Sequence, residues 1–466
     1  MLFNSLDFVL VFLPIVVGAN ALFCIHGSSR AARDVLLVAS VVFYALSGSA
    51  ALPVLAGSLL FNFLVARQLG SGGDRTPAQR RWLITGIIGN LVLLGSFKYV
   101  RFALDNVAWL TGPVHLPAFV LPLGVSFFTI QQIMYLVDVY EKLATPLSFT
   151  DHALFISFFP YISAGPIVRA TAVVPQLGDA QRVRGDRLAA GLVLLAMGLV
   201  KKVALTGPYG DLADIGFNSA GNVRLIEAWT SAFAYTFQLY FDFSGYTDIA
   251  LGVALMLGLE LPKNFNSPFR SKTVIEFWTR WHMTLSSFIT TYLYTPMARA
   301  TKPLTFRKAM IITLLAMTIA GLWHGAAWTF VVFGLLHGLG IVTNHLWRKR
   351  KRKLPPRLAW ALTFAFVAIA FVFFRANSIH DALSVVSGMA GLRGFGGFSL
   401  SENRMRFVRA AWIAVTIPTI GLPNSNEIAA GFRPSWGRAV VCAAALVMVL
   451  VLMNGSGMKG FIYREF

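Results

Sequence analysis

The chain has 466 residues, of which 56% are hydrophobic and only 13% charged. A soluble domain carries about 25% charge, so an ordinary cytoplasmic enzyme is excluded, and 39 Phe, 12 Tyr and 11 Trp exclude a disordered chain. The 40 Lys and Arg against 20 Asp and Glu give a net charge of +20. That excess sits in short loops between apolar stretches, the pattern of a positive-inside membrane protein rather than of a nucleic-acid binder.

Apolar stretches fall near 5–24, 34–47, 50–66, 83–97, 117–137, 152–166, 188–206, 229–258, 309–325, 327–344, 357–375, 409–423 and 436–453. They predict an all-α, polytopic fold of about 10–13 membrane segments, forming one integral membrane domain over 1–466. Those near 34–47 and 152–166 are short, tilted or re-entrant. The N-terminal run MLFNSLDFVLVFLPIVVGANALF has no basic region before it and no small-residue cleavage site. It reads as a first transmembrane helix rather than a cleaved signal. Cys24 and Cys442 are too few and too far apart for a disulfide scaffold or a cysteine metal cluster.

Basic loops orient the chain. Arg67, Arg75, Arg80 and Arg81 mark one cytoplasmic loop, Arg30 and Arg33 a weaker one, and the run Arg348 to Lys353 the strongest. With the N-terminus outside, these loops share one side. Lys201 and Lys202 fit this layout poorly, since they fall inside an apolar stretch; the alternative is that they line an interior cavity.

Two carboxylates occupy the long apolar stretch YTFQLYFDFSGYTDIALG. Gln238, Asp242 and Tyr246 recur at one-turn spacing and predict a polar stripe lining a tunnel or meeting a partner helix. Segment 260–308 differs in kind. It is polar, aromatic-rich and basic, with eight basic residues against Glu276 alone, and it reads as an amphipathic helix with loops at the cytoplasmic face. Within it, Glu276 and Arg280, Trp278 and His282, and His282 and Ser286 are each four apart and share a helical face, with the tryptophans, Trp281 included, as interfacial anchors. The plainer reading is a loop held in the head groups.

Of eight histidines, His26, His115, His345 and His380 fall in or beside predicted loops, and His152 gives no strong signal. His324 stands out, because it lies in TIAGLWHGAAWTFVVFGLLHG, an almost wholly apolar run, between Gly321 and Gly325. An ionisable group at membrane depth is costly and points to function. The glycines permit close backbone approach and leave room beside the ring, and a neutral imidazole is suited to general-base work. The competing reading is a histidine hydrogen-bonded between helices. His337, thirteen residues on, reads as structural. No nucleotide loop, metalloprotease motif, nucleophile elbow or dinucleotide fingerprint occurs, and His282 and His324 are not spaced as a metal pair. An enzyme of this kind needs a reactive donor, and a thioester meets that condition.

Several motifs resemble the membrane-bound O-acyltransferase family, in its bacterial alginate O-acetyltransferase-like branch. They are MLFNSLDFVLVFLP, PLGVSFFTIQQIMYLVDVY, FFPYISAGPIVR, QLYFDFSGYTDIALG, LPKNFNSPFR, FWTRWHMTLS, GLWHGAAWTF, VFFRA and LPNSNEI. The resemblance implies a helical bundle around a central funnel or tunnel in a bacterial inner membrane. The family's invariant catalytic histidine falls on His324 and its second, more variable position on His282. It further implies transfer of an acetyl or other short acyl group to an exported polysaccharide or envelope polymer. The donor would be acetyl-CoA or an acyl carrier protein thioester, with no permanently bound cofactor or metal, and a periplasmic or membrane-anchored partner would complete the transfer. Candidate oxyanion donors are Trp323, Tyr240 and Ser286, and the basic approach for the donor is Lys302, Arg307 and Lys308. One departure from the branch is Thr290-Thr291, where relatives carry Arg-Asp, followed by Ala298-Arg299-Ala300 in place of Gly-Gly; donor identity or partner docking is what it affects. The alternatives left open are a transporter for a small anionic metabolite or lipid-linked sugar, and acyl transfer to a protein or lipid.

Overall fold

The computed structural model describes residues 1–70, 75–112, 121–178, 184–218, 221, 223–396, 413, 416–417, 420–455 and 461–462. His115, the start of the stretch at 117–137 and most of the stretch at 409–423 lie outside the described residues. Helices make up the ordered elements throughout, and no strand occurs among the described residues. Among the described residues, seven helical runs are long and apolar enough to cross a membrane, or eight if the bent pair Pro77–Lys98 and Val100–Ala108 counts as one span. One of the seven, Ser29–Gly70, is 42 residues long, about twice a single crossing. The chain divides into two compact units.

The first unit comprises Met1–Leu199, Tyr246–Lys263 and Ala429–Glu465. Helix α1 (Leu13–Ile25) leads to α2 (Ser29–Gly48), whose N-terminus is capped by the Ser28 hydroxyl accepting from Ala31 N–H. The stretch expected at 34–47 is therefore a full 20-residue helix, because the cap extends it through the basic, less apolar turn before it. Then come α3 (Leu52–Gly70) and α4 (Pro77–Lys98), the latter started by a reciprocal Thr76–Gln79 capping box with Pro77 in its first turn. After α5 (Val100–Thr111), α6 (Val125–Tyr140) is buried along nearly its whole length. The stretch at 152–166 is helical only as α7 (Phe149–Ser157) and then runs as buried turns. Helices α8 (Ala170–Gly178) and α9 (Gly185–Leu199) follow.

Several buried polar groups of this unit pair with one another, as a low-dielectric surrounding favours. Asn62 and Asn90 exchange amide hydrogen bonds of 3.2 and 2.6 Å between α3 and α4. Buried Asp138 accepts two bonds from Arg169, at 3.1 and 2.9 Å. Gly124, at φ +69°, lies so close to the Ile162 carbonyl that a Cβ would sit 2.0 Å from its oxygen. That contact joins the PLGVSFF and FFPYISAGPIVR motifs and excludes any larger residue.

The second unit comprises Val200–Gly245 and Asn264–Ile428. A π-helical turn at Val200–Leu205 precedes α10 (Thr206–Phe217). Helix α11 (Leu225–Met256) contributes its residues up to Gly245 here and the rest to the first unit. Segment 260–308 is not one amphipathic helix. It forms α12 (Val274–Trp278), α13 (Met283–Phe288), a π-helical turn (Ile289–Tyr294) and α14 (Thr295–Ala300). Phe265, Phe269, Phe277, Trp278, Trp281 and Leu285 are all buried. The tryptophans thus pack a core, and are not interfacial anchors, because breaks in the helix turn successive aromatic residues inward.

Helices α15 (Phe306–His324) and α16 (Trp328–Lys349) form an antiparallel hairpin. At Gly321 an added Cβ would stand 2.3 Å from Phe330 O and 2.7 Å from Gly334 Cα, so glycine is required for the two backbones to touch. Helix α17 (Pro356–Arg375) packs beside them and leads to α18 (Ile379–Met389).

Candidate active site

His282 is placed by a break in the helix rather than by a helical face. It has φ +43° and ψ +53°, in the left-handed region, as the residue before α13. Such a conformation in a non-glycine residue is held by surrounding contacts. Those contacts are a short pairing of two loops: Asn266 N–H donates to Arg280 O at 2.9 Å, and Met283 N–H to Asn264 O at 3.0 Å. The Asn264 side chain closes the pairing. Its Oδ1 accepts from Thr284 Oγ1 at 2.6 Å and from Thr284 N–H at 3.3 Å, and lies 3.3 Å from His282 Nδ1.

This arrangement assigns the histidine tautomer. A backbone N–H can only donate, so the atom facing Thr284 is the amide oxygen. His282 Nδ1 must then donate to it, which puts the lone pair on Nε2. His282 lies outside the long apolar helices and is wholly buried. Burial pushes its pKa down to about 3, so the ring is neutral near pH 7.

His324 is the last residue of α15 and is 4% exposed. Its ring centroid lies 6.3 Å from that of His282, with the planes 53° apart. Trp323 lies 5.0 Å from His324 and 6.5 Å from His282. Phe374 at 5.4 Å and Phe333 at 6.1 Å contact His324 edge-on, and Phe243 of α11 contacts His282 at 4.7 Å. Two neutral-capable imidazoles thus meet inside an aromatic enclosure. The glycines beside His324 serve close packing and do not leave room beside its ring. Gly321 meets α16, and a Cβ on Gly325 would sit 2.1 Å from the Phe330 ring.

The other expected residues sort differently. Trp281 packs with Tyr240, Phe265 and Phe277 behind His282. Tyr240 faces Phe265 and Phe269, with Lys201 Nζ 5.9 Å over its ring. Gln238 lies against Gly210, whose Cβ would fall 2.6 Å from its Nε2. Asp242 does not present an open carboxylate to a tunnel. It is fully buried in an ion pair with Lys202, while Lys201 donates to Ser425 Oγ at 2.7 Å. Tyr246, one turn further along the same helix, is assigned to the first unit, where its hydroxyl bonds Ser163.

The helix is broken between Trp278 and His282; Ser286 lies one turn into α13, its N–H donating to His282 O at 3.0 Å. Its hydroxyl donates to Trp278 O at 2.7 Å. The Glu276–Arg280 pair is present at 3.1 Å. His337 accepts from Trp278 Nε1–H at 3.2 Å and stacks on Phe277, so it holds the tryptophan. Thr290 and Thr291 lie exposed in the π-helical turn, where Thr290 Oγ1 donates to Ser286 O at 2.9 Å. Lys302 and Arg307 are exposed and Lys308 is half-buried, its Nζ donating to Pro303 O at 3.2 Å. Lys349 Nζ stands 5.1 Å over the Phe306 ring, which brings the basic run at 348–353 to the same end of the hairpin. Two further motifs also converge: Asn424 Nδ2 donates to Ser267 Oγ at 3.1 Å and Arg270 Nε to Ile420 O at 2.9 Å.

Asn264, Phe243, Phe333 and Phe374 were not singled out from the sequence as site residues. A polar Asn inside the aromatic run LPKNFNSPF was the one signal for Asn264. Among the described residues, no three His, Cys, Asp or Glu side chains are grouped to hold a metal ion.

The fold defines a multi-pass helical membrane protein in which two buried histidines face each other in an aromatic enclosure. Residues 81–380 match the membrane-bound O-acyltransferase (MBOAT) family. The chain is 35% identical over 524 aligned residues to the "Peptidoglycan O-acetyltransferase" of Helicobacter pylori, covering 100% of this chain and 98% of the relative. It is 37% identical over 413 residues to the "Probable alginate O-acetylase AlgI" of Pseudomonas aeruginosa, covering 86% and 76%. It is 31% identical over 278 residues to the "Teichoic acid D-alanyltransferase" of Bacillus subtilis, covering 55% and 69%. The chain belongs to the membrane-bound O-acyltransferase family and is an O-acyltransferase.

Proposed function

We propose that this protein moves an acetyl or other short acyl group from a cytoplasmic thioester, acetyl-CoA or an acyl carrier protein conjugate, toward a hydroxyl of an exported polysaccharide or envelope polymer. The observation that carries this reading is the pair of buried imidazoles 6.3 Å apart inside an aromatic enclosure. Three relatives named for transfer to peptidoglycan, alginate and teichoic acid support the acceptor class.

His324 takes the proton of the acceptor hydroxyl as its oxygen attacks the thioester carbon. The tetrahedral intermediate then expels the thiolate, and the imidazolium returns the proton to sulfur. An ester forms, a carbon–sulfur bond breaks, and no ATP is consumed. His282, neutral and with its lone pair on Nε2, is the second proton acceptor beside it. Trp323 and Tyr240 are candidate stabilisers of the oxyanion. The hydroxyl of Ser286 is engaged with Trp278 O, which weakens its candidacy.

The site would operate in a bacterial inner membrane, with a periplasmic or membrane-anchored partner completing transfer to the polymer. A transport role loses one of its supports, because Asp242 is paired with Lys202. The test is purified protein given labelled acetyl-CoA or acyl carrier thioester, followed by mass analysis of membrane and polymer fractions. Label should reach a hydroxyl acceptor with wild type. With a well-folded His324→Ala variant it should fall by about 10²-fold or more. Undiminished transfer by that variant would refute the assignment.

A further inference from the structure

Helices α9 and α19 (Trp436–Gly455) of the first unit enclose a groove of about 520 Å³. Its walls are apolar, with Leu192 and Val193 on one side and Ala439, Cys442 and Leu446 on the other. Small residues on α19 leave the hollow open, and that apolar helix is mostly exposed, as a bilayer-facing surface is. From Ser435 to Leu446 it follows the helix for eleven residues, roughly 16 Å at 1.5 Å per residue. That is about half of the ~30 Å hydrocarbon core, the depth of one leaflet.

One end of the groove differs from the rest. Phe432, Pro434 and Ser435 line it there, and Trp436 is 90% exposed, which suits an aromatic side chain at the head-group level. Arg433 and Arg438 are exposed at the same end. Arg438 Nη1 donates to Arg433 O at 2.9 Å, and its guanidinium lies 5.9 Å over the Phe432 ring. Neither arginine forms an ion pair among the described residues. The acids near the start of α9 are already engaged, Asp186 with Arg184 and Glu260 with Arg187.

We propose that this groove seats one anionic phospholipid of the surrounding bilayer, its acyl chain between α9 and α19 and its phosphate on Arg433 and Arg438. Depth and charge together select this occupant. A partner transmembrane helix would need a surface as long as the bilayer is thick, whereas the groove stops at one leaflet. A zwitterionic lipid would fill the hollow but leave the two guanidinium groups with no net counter-charge.

The test is native mass spectrometry of the full-length protein in detergent, after delipidation and titration with phosphatidylglycerol or phosphatidylcholine of identical chains. Wild type should retain one phosphatidylglycerol in preference to phosphatidylcholine. Replacing both charges, Arg433→Gln with Arg438→Gln, should weaken phosphatidylglycerol retention by about 30-fold, at ~1 kcal/mol per basic residue, and abolish the preference. Ala443→Trp, which fills the hollow, should weaken both lipids. The double arginine variant changes only exposed side chains, so it decides the matter alone if the tryptophan variant fails to fold. Equal retention of the two lipids by wild type, unchanged phosphatidylglycerol retention in the double variant, or a protein dimer that Ala443→Trp dissolves would each overturn the proposal.

Discussion

Asn264 fixes which nitrogen of His282 carries the proton. Its side-chain oxygen is oriented by the Thr284 backbone N–H and lies 3.3 Å from His282 Nδ1, so the basic nitrogen is Nε2. Asn264→Ala should leave the protein folded but release both the tautomer and the left-handed loop. The expected loss in kcat is roughly 10- to 100-fold, the scale for a group that orients a functional histidine, with a smaller change in KM. Asn264→Asp keeps an acceptor but adds a charge that favours imidazolium. Burial alone holds the wild-type ring down to about 3, so His282 contributes no acid limb between pH 5 and 8, whereas the Asp variant should lose activity as pH falls from a higher value. Superimposable pH–rate profiles for wild type and Asn264→Asp would show that Asn264 does not govern this ring. Stability follows the same sign: the neutral preference stabilises the fold above the unfolded-state value of about 6.5 and is lost as pH falls toward 3.

Lys202 and Asp242 give a prediction of the opposite kind, about structure rather than chemistry. They are 4% and 0% exposed and paired with each other. Removing one partner strands a buried charge, at about 3–5 kcal/mol, while replacing both with apolar residues of similar volume is often close to neutral. Lys202→Met and Asp242→Asn should each lower the thermal midpoint of the detergent-solubilised protein, and Lys202→Met with Asp242→Leu should recover most of it along with acyl transfer. A double variant that is stable but inactive would return Asp242 to the chemistry.

What could be read from the sequence depended on whether a residue was anomalous alone or only in company. His324 was legible because an ionisable side chain interrupts some twenty apolar residues. Lys202 and Asp242 were each visible as misfits for the same reason. Their pairing was not, because 40 residues and a π-helical turn separate them. His282 was found by its motif, but the continuous helical face drawn from Trp278 through His282 failed. Periodicity assumes an unbroken helix, and a residue at φ +43° breaks it. Asn264 was hidden for a related cause, since loop-to-loop pairing across 18 residues leaves no periodic trace. Helix number was legible only approximately, because some buried apolar stretches, such as 152–166, are spent on turns rather than on crossings.

Sidedness follows from the hairpin of α15 and α16. Lys349 reaches the Phe306 ring at 5.1 Å, so 302–308 and 348–353 share one end of it and should face the cytoplasm together. Single cysteines at Lys302 and Lys351, in a background without Cys24 and Cys442, should react with a membrane-impermeant thiol reagent only after the membrane is opened. Labelling of either in intact spheroplasts would contradict this layout, and labelling of one without the other would contradict the hairpin as well.

That shared end bears on how the donor arrives. Acetyl-CoA carries phosphates and acyl carrier proteins are acidic, so either gains from a positive approach. Lys302, Arg307 and Lys308 lie there, the first two exposed, beside the run from Arg348 to Lys353. Replacing Lys302, Arg307 and Lys308 with Gln should raise the apparent KM for the donor severalfold with a smaller change in kcat, because docking precedes and does not touch the bond-making step. Raising salt should increase the wild-type KM, since exposed charges are screened over about 8 Å at physiological ionic strength, and should have less effect on the triple variant. If these residues only hold anionic head groups, insertion will suffer while the donor KM of the inserted protein stays at the wild-type value. Donor titrations of wild type and triple variant at two salt concentrations, normalised to inserted protein, separate the two cases. Matching, salt-insensitive KM values would end the docking hypothesis.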